Sequence, residues 1–290
     1  MPPALRRLAL APLRSLLQLA GRAYVPGSRM ADALAIAERY ATDGAGVTLG
    51  YFHSGHETPG AIAAINQDIA TALATRPISG YVSIKPPALA YDPQLIADIV
   101  ATANRHGQWL HFDSHEHPTA DATLACLQTA ASLGGRLGLS VPGRWQRSPD
   151  DAETAAGLGV RIRVVKGEWA DPWAPGLDPR RGFLDVIDRL AGKTPLVAIA
   201  THDRPLAEAA VDRLQAAGTA CEIELLNGLP RRDMLALAQQ RGIPVRYYIP
   251  FGVAWRPYAL SKALDNPRIV AWVIKDACKG LAARLGKKSA

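Results

Sequence analysis

Eight short runs rich in β-branched residues recur along this chain, each followed by a turn and then by helical periodicity. That rhythm restricts the fold more than any other feature. The runs fall at residues 47–52, 80–86, 108–113, 136–141, 160–167, 195–202, 220–227 and 245–251. Between them, apolar residues recur at helical spacing over 61–73, 93–104, 119–131, 205–217 and 231–240. Asp92-Pro93 and Ser148-Pro149 place a capping side chain before a proline at a first helical position. Gly107, Gly134, Gly159, Gly218 and Gly242 stand where helices should stop. Runs such as 160–165 and 196–200 lack a strictly polar face, as expected of strands covered by helices on one side and by barrel packing on the other.

Eight such units match a closed parallel barrel in size. An open doubly wound sheet gives the same local alternation, but its dinucleotide-binding form wants a GxGxxG turn after the first strand, and none stands there. The expected fold is α/β, a (β/α)8 TIM-like barrel with extra N-terminal and C-terminal helices. It forms one domain over 1–290, with a helical extension at 1–45 that includes a helix at 30–40, and a C-terminal helix and basic tail at 267–290.

A chain of 290 residues, 48% hydrophobic and 20% charged, can bury a core without disulfides or a structural metal. Cys126, Cys221 and Cys278 have no close spacing and one would be left unpaired, which points to a reduced, cytoplasmic setting. The net charge of +7 is spread over modest clusters, with no aromatic-interleaved basic stripe. Nucleic acid is therefore not an expected partner; anionic ligands or an anionic membrane surface suit a diffuse positive field better. No apolar run reaches the ~18 residues of a membrane-spanning helix. Residues 6–20 read as an amphipathic helix, because Arg14 interrupts the apolar region and no cleavage site follows.

Catalytic groups in such barrels collect at the C-terminal ends of the strands. Polar residues fall there repeatedly: Lys85, Asp113, Arg163 and Lys166, Thr201-His202, Glu222 and Glu224, and Tyr248. Polar groups from six strands at one rim point to a ligand. His111 and Asp113 share a side of their strand, and with His115, Glu116 and His117 nearby a metallohydrolase is one alternative, although His117 precedes Pro118 in what reads as a solvated helix-entry loop. A Schiff-base lysine at Lys85 or Lys166 is another, and an ion pair of Lys85 with Asp113 or Glu222 is the structural alternative.

Four segments together resemble the proline dehydrogenase family: VRIRVVKGEW (160–169), ATHD (200–203), CEIELLNGL (221–229) and RYYIPFGVAWRPY (246–258). YVSIKPPAL (81–89) is similar to the family's strand ending in a substrate-side lysine, and HFDSHE (111–116) to its aspartate strand. Order and spacing match from about residue 30 to residue 270. The resemblance implies a barrel holding FAD that oxidises proline to pyrroline-5-carboxylate, by hydride transfer to flavin N5, with electrons passed to membrane quinone. It places Arg163 near the flavin's reactive edge, and Lys166, Gly167, Trp169, Thr201, His202, Asp203 and Glu224 around the cofactor. Lys85, Asp113, Leu226, Tyr248 and Tyr258 would form the substrate pocket, with a Lys85–Asp113 ion pair as one wall.

Departures from the family pattern are equally plain. An Arg-Arg pair that clamps the substrate carboxylate is replaced by Ser261 and Lys262. Arginine offers a two-pronged donor and lysine only a point charge. Asp203 replaces an asparagine, Glu224 a glutamine, and Pro142 a flavin-side glutamine, which leaves Arg144 and Trp145 free for another role. Three readings follow: a proline oxidase with a rearranged clamp, using Lys262 with Arg256 or Arg144; the same redox chemistry on another cyclic amine or proline derivative; or a flavin-free barrel acting as a lyase, hydrolase or binding protein. The basic ends, 6–20 and 279–288, would suit transient contact with an anionic bilayer.

Overall fold

The computed structural model describes residues 27–254. Helix α1 (Met30–Thr42) precedes β1 (Gly46–Tyr51), and strands and helices then alternate. In order these are α2 (Pro59–Ala74), β2 (Gly80–Ile84), α3 (Pro93–Arg105), β3 (Trp109–Phe112), α4 (Ala120–Ser132), β4 (Leu137–Pro142), α5 (Ser148–Gly157), β5 (Arg161–Val165), α6 (Pro179–Leu190), β6 (Val197–Ala200), α7 (Arg204–Ala216), β7 (Cys221–Leu226), α8 (Arg232–Arg241) and β8 (Val245–Phe251). Each strand pairs in parallel with the next, and β8 pairs with β1 from Gly46↔Arg246 to Tyr51↔Phe251. That last pairing closes the sheet and rules out the open doubly wound alternative. Among the described residues, no helix is long and apolar enough to cross a membrane.

All eight expected runs are strands, but several stop sooner than the sequence suggests. β2 ends at Ile84, β3 at Phe112, β5 at Val165 and β6 at Ala200, so Lys85, Asp113, Lys166, Gly167, Thr201 and His202 begin the loops beyond them. After β2 the reason is local, because Pro86 and Pro87 have no N–H to donate to a ladder.

The Asp92 side chain accepts hydrogen bonds from the backbone N–H of Gln94 and Leu95 at 2.8 and 3.2 Å, capping α3 as expected. Ser148 behaves differently. It is the first helical residue of α5, and its hydroxyl donates to the Pro142 carbonyl at the end of β4 instead of capping. The five helix-stop glycines all have φ between 62° and 73°, the left-handed region that ends a helix without a Cβ clash. α1 docks across the closing seam, where Tyr40 stacks on Tyr247 with centroids 3.7 Å apart.

Outward-facing strand residues such as Leu49, Val82, Ile84, Phe112, Val164, Ile199, Ile223 and Ile249 are buried against helix residues such as Ile69, Ile99, Leu127, Phe183, Leu214 and Leu237. This shell between sheet and helices is the hydrophobic core. The barrel interior is not an apolar packing layer, which corrects the expectation for 160–165. Arg161 and Arg163 alternate with Ile162 and Val164 and reach across the barrel to carboxylates on β7. Bulky branched residues normally fill this space; here the filling is ionic.

Candidate active site

The interior charges form two connected layers. Nearer the N-terminal ends of the strands, Arg161 bonds to Glu222 and Glu224, and Arg246 donates to Glu222 at 2.9 Å. Arg246 also donates to the carbonyls of Val47 and Ser79, at 2.9 and 3.1 Å. Both guanidinium groups lie over the Tyr81 ring, that of Arg161 at 4.5 Å and that of Arg246 at 3.7 Å from its centroid. An unpaired buried charge costs several kcal/mol, on the order of 3–5 when one partner is removed, so this mutual satisfaction is what makes an ionic interior tenable.

The second layer lies two residues further along each strand, at the C-terminal mouth. Asp113 gathers it. Its Oδ2 accepts from Ser83 at 2.5 Å, Tyr248 at 3.1 Å and Lys85 at 3.4 Å, while Oδ1 accepts from Ser140 at 3.2 Å and from Arg163. Arg163 also donates to Ser140 and Glu224, both at 2.9 Å, and Glu224 accepts from Thr48 at 3.0 Å. Burial alone would raise the Asp113 carboxyl, but the charges of Arg163 and Lys85 overrule it and hold it far below the usual carboxylate range. Glu224 is held low in the same way, by Arg163 and Arg161. Burial lowers Lys85, partly offset by Asp113, and burial together with Asp113 raises the Tyr248 phenol well above its ordinary value. Lys85, Arg161, Arg163 and Arg246 face three buried carboxylates, Asp113, Glu222 and Glu224, so the interior carries one surplus positive charge.

Above this layer the loops supply a rim. Phe52 stands over Lys85, its ring centroid 4.2 Å from Nζ. His115 stacks on Trp169 with centroids 5.8 Å apart, and burial together with nearby Lys85 lowers its pKa to about 4. Gly167, at φ 89°, packs on Pro142 and Arg144, where a Cβ would come 2.8 Å from the proline's own.

A second cluster sits at the ends of β5 and β6. Asp203 caps α7 by accepting from Leu206 N–H at 3.3 Å, and its other oxygen meets Arg180, with Lys166 Nζ at 3.8 Å. Thr201 Oγ1 accepts from Asp203 N–H at 3.1 Å. His202 Nδ1 lies 2.8 Å from the Pro230 carbonyl and must donate to it, while Nε2 accepts from Leu226 N–H at 3.0 Å. Those two bonds fix the neutral tautomer, and burial lowers its pKa to about 4.

Lys85, Asp113, Arg163, Tyr248 and Glu224 are thus brought into one network, and Lys166, Thr201, His202, Asp203 and Leu226 into a neighbouring one. Tyr258, Ser261 and Lys262, with Arg256, lie outside the described residues. One expectation is corrected. His117 is buried, not solvated, and packs edge-on between Trp145 and Trp173 at 5.2 and 4.8 Å. Arg144 and Trp145 take up contacts to the loop after β5: Arg144 donates to the Glu168 carbonyl at 2.6 Å and Trp145 Nε1 to that of Trp169 at 3.0 Å. His111 is engaged by Arg161 and Ser140, and among the described residues no three His, Cys, Asp or Glu side chains gather as a metal site would need.

Sequence reasoning missed Thr48, Ser83, Ser140, Arg161, Arg180 and Arg246. For Ser83, Arg161 and Arg246 a signal existed, since each stands two residues before an expected site residue, Lys85, Arg163 or Tyr248, and so faces the same way.

No family model matches the chain. It is 21% identical over 278 residues to proline dehydrogenase 1 of Bacillus subtilis strain 168, covering 90% of this chain and 92% of that one. The protein of the same name from the subspecies natto is also 21% identical, over 280 residues. Among solved structures, the barrel is similar to proline utilization A from Bdellovibrio bacteriovorus, with a TM-score of 0.73 and 13% identity over 87% of this chain. It is also similar to proline utilization A from Corynebacterium freiburgense, with a TM-score of 0.66 and 18% identity over 93% of this chain. The chain spans about a third of the length of those two, 33% and 34%. It therefore resembles proline dehydrogenases along nearly its whole length.

Proposed function

We propose that the chain is a flavin-dependent dehydrogenase that oxidises proline or a proline-like cyclic amine to a pyrroline-type imine and passes the electrons to a quinone-type acceptor. The observation that carries this reading is the convergence of Lys85, Asp113, Arg163 and Tyr248, from β5, β8 and the loop starts just beyond β2 and β3, into one largely buried network at one mouth of a closed barrel. Similarity to two proline dehydrogenases over 90% of the chain supports it.

The residues present fit FAD. Pro142, Val165 and Ala200 end β4, β5 and β6, a low floor for a planar ring beside Arg163. Arg144 Nε is buried there without a hydrogen-bond partner. Lys166 and Arg180 share the single carboxylate of Asp203 at the N-terminus of α7, which suits a pyrophosphate. A flavin held there supplies the acceptor for a hydride from the carbon beside the substrate's ring nitrogen.

The chain's own groups do the rest. Arg163 keeps N–H donors beyond its three partners and is a fixed cation where negative charge develops. Tyr248, its ring 5.0 Å from the Arg163 guanidinium, and Lys85 form the substrate wall, with Phe52 as a hydrophobic cover. Asp113 anchors this wall and is not a base, because its carboxylate is already saturated with donors. Glu224 lies beneath Arg163 and acts through it. His202, with both ring nitrogens engaged, ties the β6 and β7 loops together and positions Thr201 and Leu226 around the ligand. Trp169 lines the cofactor side. The basic segments 6–20 and 279–288, proposed for transient bilayer contact, lie outside the described residues.

The test is to load the protein with FAD and titrate it anaerobically with cyclic amines, with and without a carboxylate, following flavin bleaching. Bleaching by at least one cyclic amine, slowed about a hundredfold in Arg163→Met, is expected, with free proline a weak substrate because Ser261 and Lys262 replace the arginine clamp. A protein that takes up no flavin overturns the reading.

A further inference from the structure

His111 is fully buried inside the barrel, and its two hydrogen bonds join the two ionic layers. Its Nδ1 lies 3.2 Å from Arg161 Nη1. Arginine can only donate, so Nδ1 must accept, and the ring's single proton sits on Nε2. Nε2–H then donates to Ser140 Oγ at 2.9 Å. The Ser140 hydroxyl also accepts from Arg163 Nε at 2.9 Å, which fills its second lone pair, so its only proton must point to Asp113 Oδ1 at 3.2 Å. No rotational freedom is left in that hydroxyl. Room for the ring comes from Gly138 on β4, where a Cβ would stand 2.5 Å from His111 Nδ1.

We propose that His111 is a positioning residue: it locks the Ser140 hydroxyl, and through it sets the orientation of Arg163 and Asp113 at the mouth. The charged groups facing the ring are Arg161 and Arg163 from β5, Asp113 just beyond its own strand and Glu224 from β7. Burial and the two arginines keep it neutral, so it holds one tautomer and carries no charge to the site. The part of this inference that concerns turnover rests on the flavin reading above; the part that concerns the tautomer does not.

Two variants and one spectrum decide it. In His111→Phe a planar, somewhat larger ring stays and both hydrogen bonds go; in His111→Gln one acceptor and one donor remain. With FAD bound, His111→Phe is expected to weaken the relative stabilisation of reduced flavin about tenfold, a fall of about 30 mV in midpoint potential for two electrons. Turnover number should drop about a hundredfold through misorientation, with KM moving far less, and His111→Gln should recover most of both. A folded His111→Phe protein with wild-type potential and turnover overturns the proposal. So does a His111→Gln protein as impaired as His111→Phe, because packing would then explain the loss. In the wild-type protein, ring nitrogen NMR should show the Nε2–H tautomer across about pH 5–8; an Nδ1–H or doubly protonated ring overturns the proposal whatever the activity. If the wild-type protein binds no flavin, the dehydrogenase reading fails, and the tautomer still decides His111.

Discussion

Asp113 accepts from five side chains, Ser83, Lys85, Ser140, Arg163 and Tyr248. A carboxylate offers about four lone-pair sites, so no site remains from which it could take a substrate proton. Its role is to neutralise two cations and aim their remaining donors. Replacing it with asparagine keeps the shape and removes the charge, leaving Lys85 and Arg163 buried without their shared counter-ion. Asp113→Asn should therefore cost roughly 3–5 kcal/mol of folding stability, read as a lower urea midpoint with an unchanged slope; an unchanged midpoint would show that the layer is not coupled as described. Glu224 shows a different limit on inference from sequence. It bonds to Thr48, Arg161 and Arg163, partners that lie 61 to 176 residues away along the chain.

At the scale of elements, the strands fit large side chains into the barrel by placing glycine opposite them. A Cβ on Gly50 would come 2.5 Å from Tyr248 Oη, and one on Gly138 the same distance from His111 Nδ1. His111 is buried and Tyr248 half-buried, and both are hydrogen-bonded, so neither can move aside freely. Gly138→Ala should destabilise the fold by roughly 1–3 kcal/mol through overpacking, measured by thermal melting, and should disturb the Ser140 contact as well. Helix α3 offers a milder case, since Asp92 satisfies two N–H groups at its start. Asp92→Ala should cost about 1 kcal/mol in chemical denaturation. Both helix starts looked alike in sequence, a polar residue before proline. Ser148 went elsewhere because the short turn after β4 sets it beneath the free carbonyl of Pro142, a contact no local pattern displays.

For the whole molecule, the lowered histidines and carboxylates predict loss of stability in acid. His115 and His202 have folded pKa values of about 4, below the ordinary 6.5. Between those values the unfolded chain binds protons that the folded chain refuses, so stability rises with pH through this window and is fully present above 6.5. Asp113 and Glu224, also lowered, add a further loss as pH falls below the ordinary carboxylate range. The melting temperature should be level near pH 7 and fall steadily from about pH 6.5 toward 4, and His202→Gln should flatten part of that fall. A melting temperature that rises on mild acidification would contradict the burial of these rings.

The number of strands, their order and the side each residue faces were legible in the sequence, because alternation and helical period are local properties of a chain. The Lys85–Asp113 pair could be anticipated for a related reason, since adjacent strand ends bring the two residues together. What faces what across the interior was not legible. Arg161 meets Glu222 over a separation of 61 residues and Thr48 meets Glu224 over 176, and only closing the sheet brings such side chains face to face. Alternation tells that a side chain points inward; the strand stagger and the reach of each arginine decide which carboxylate it finds. The tertiary structure alone therefore settled that the interior is an ionic network, and that His111 joins its two layers.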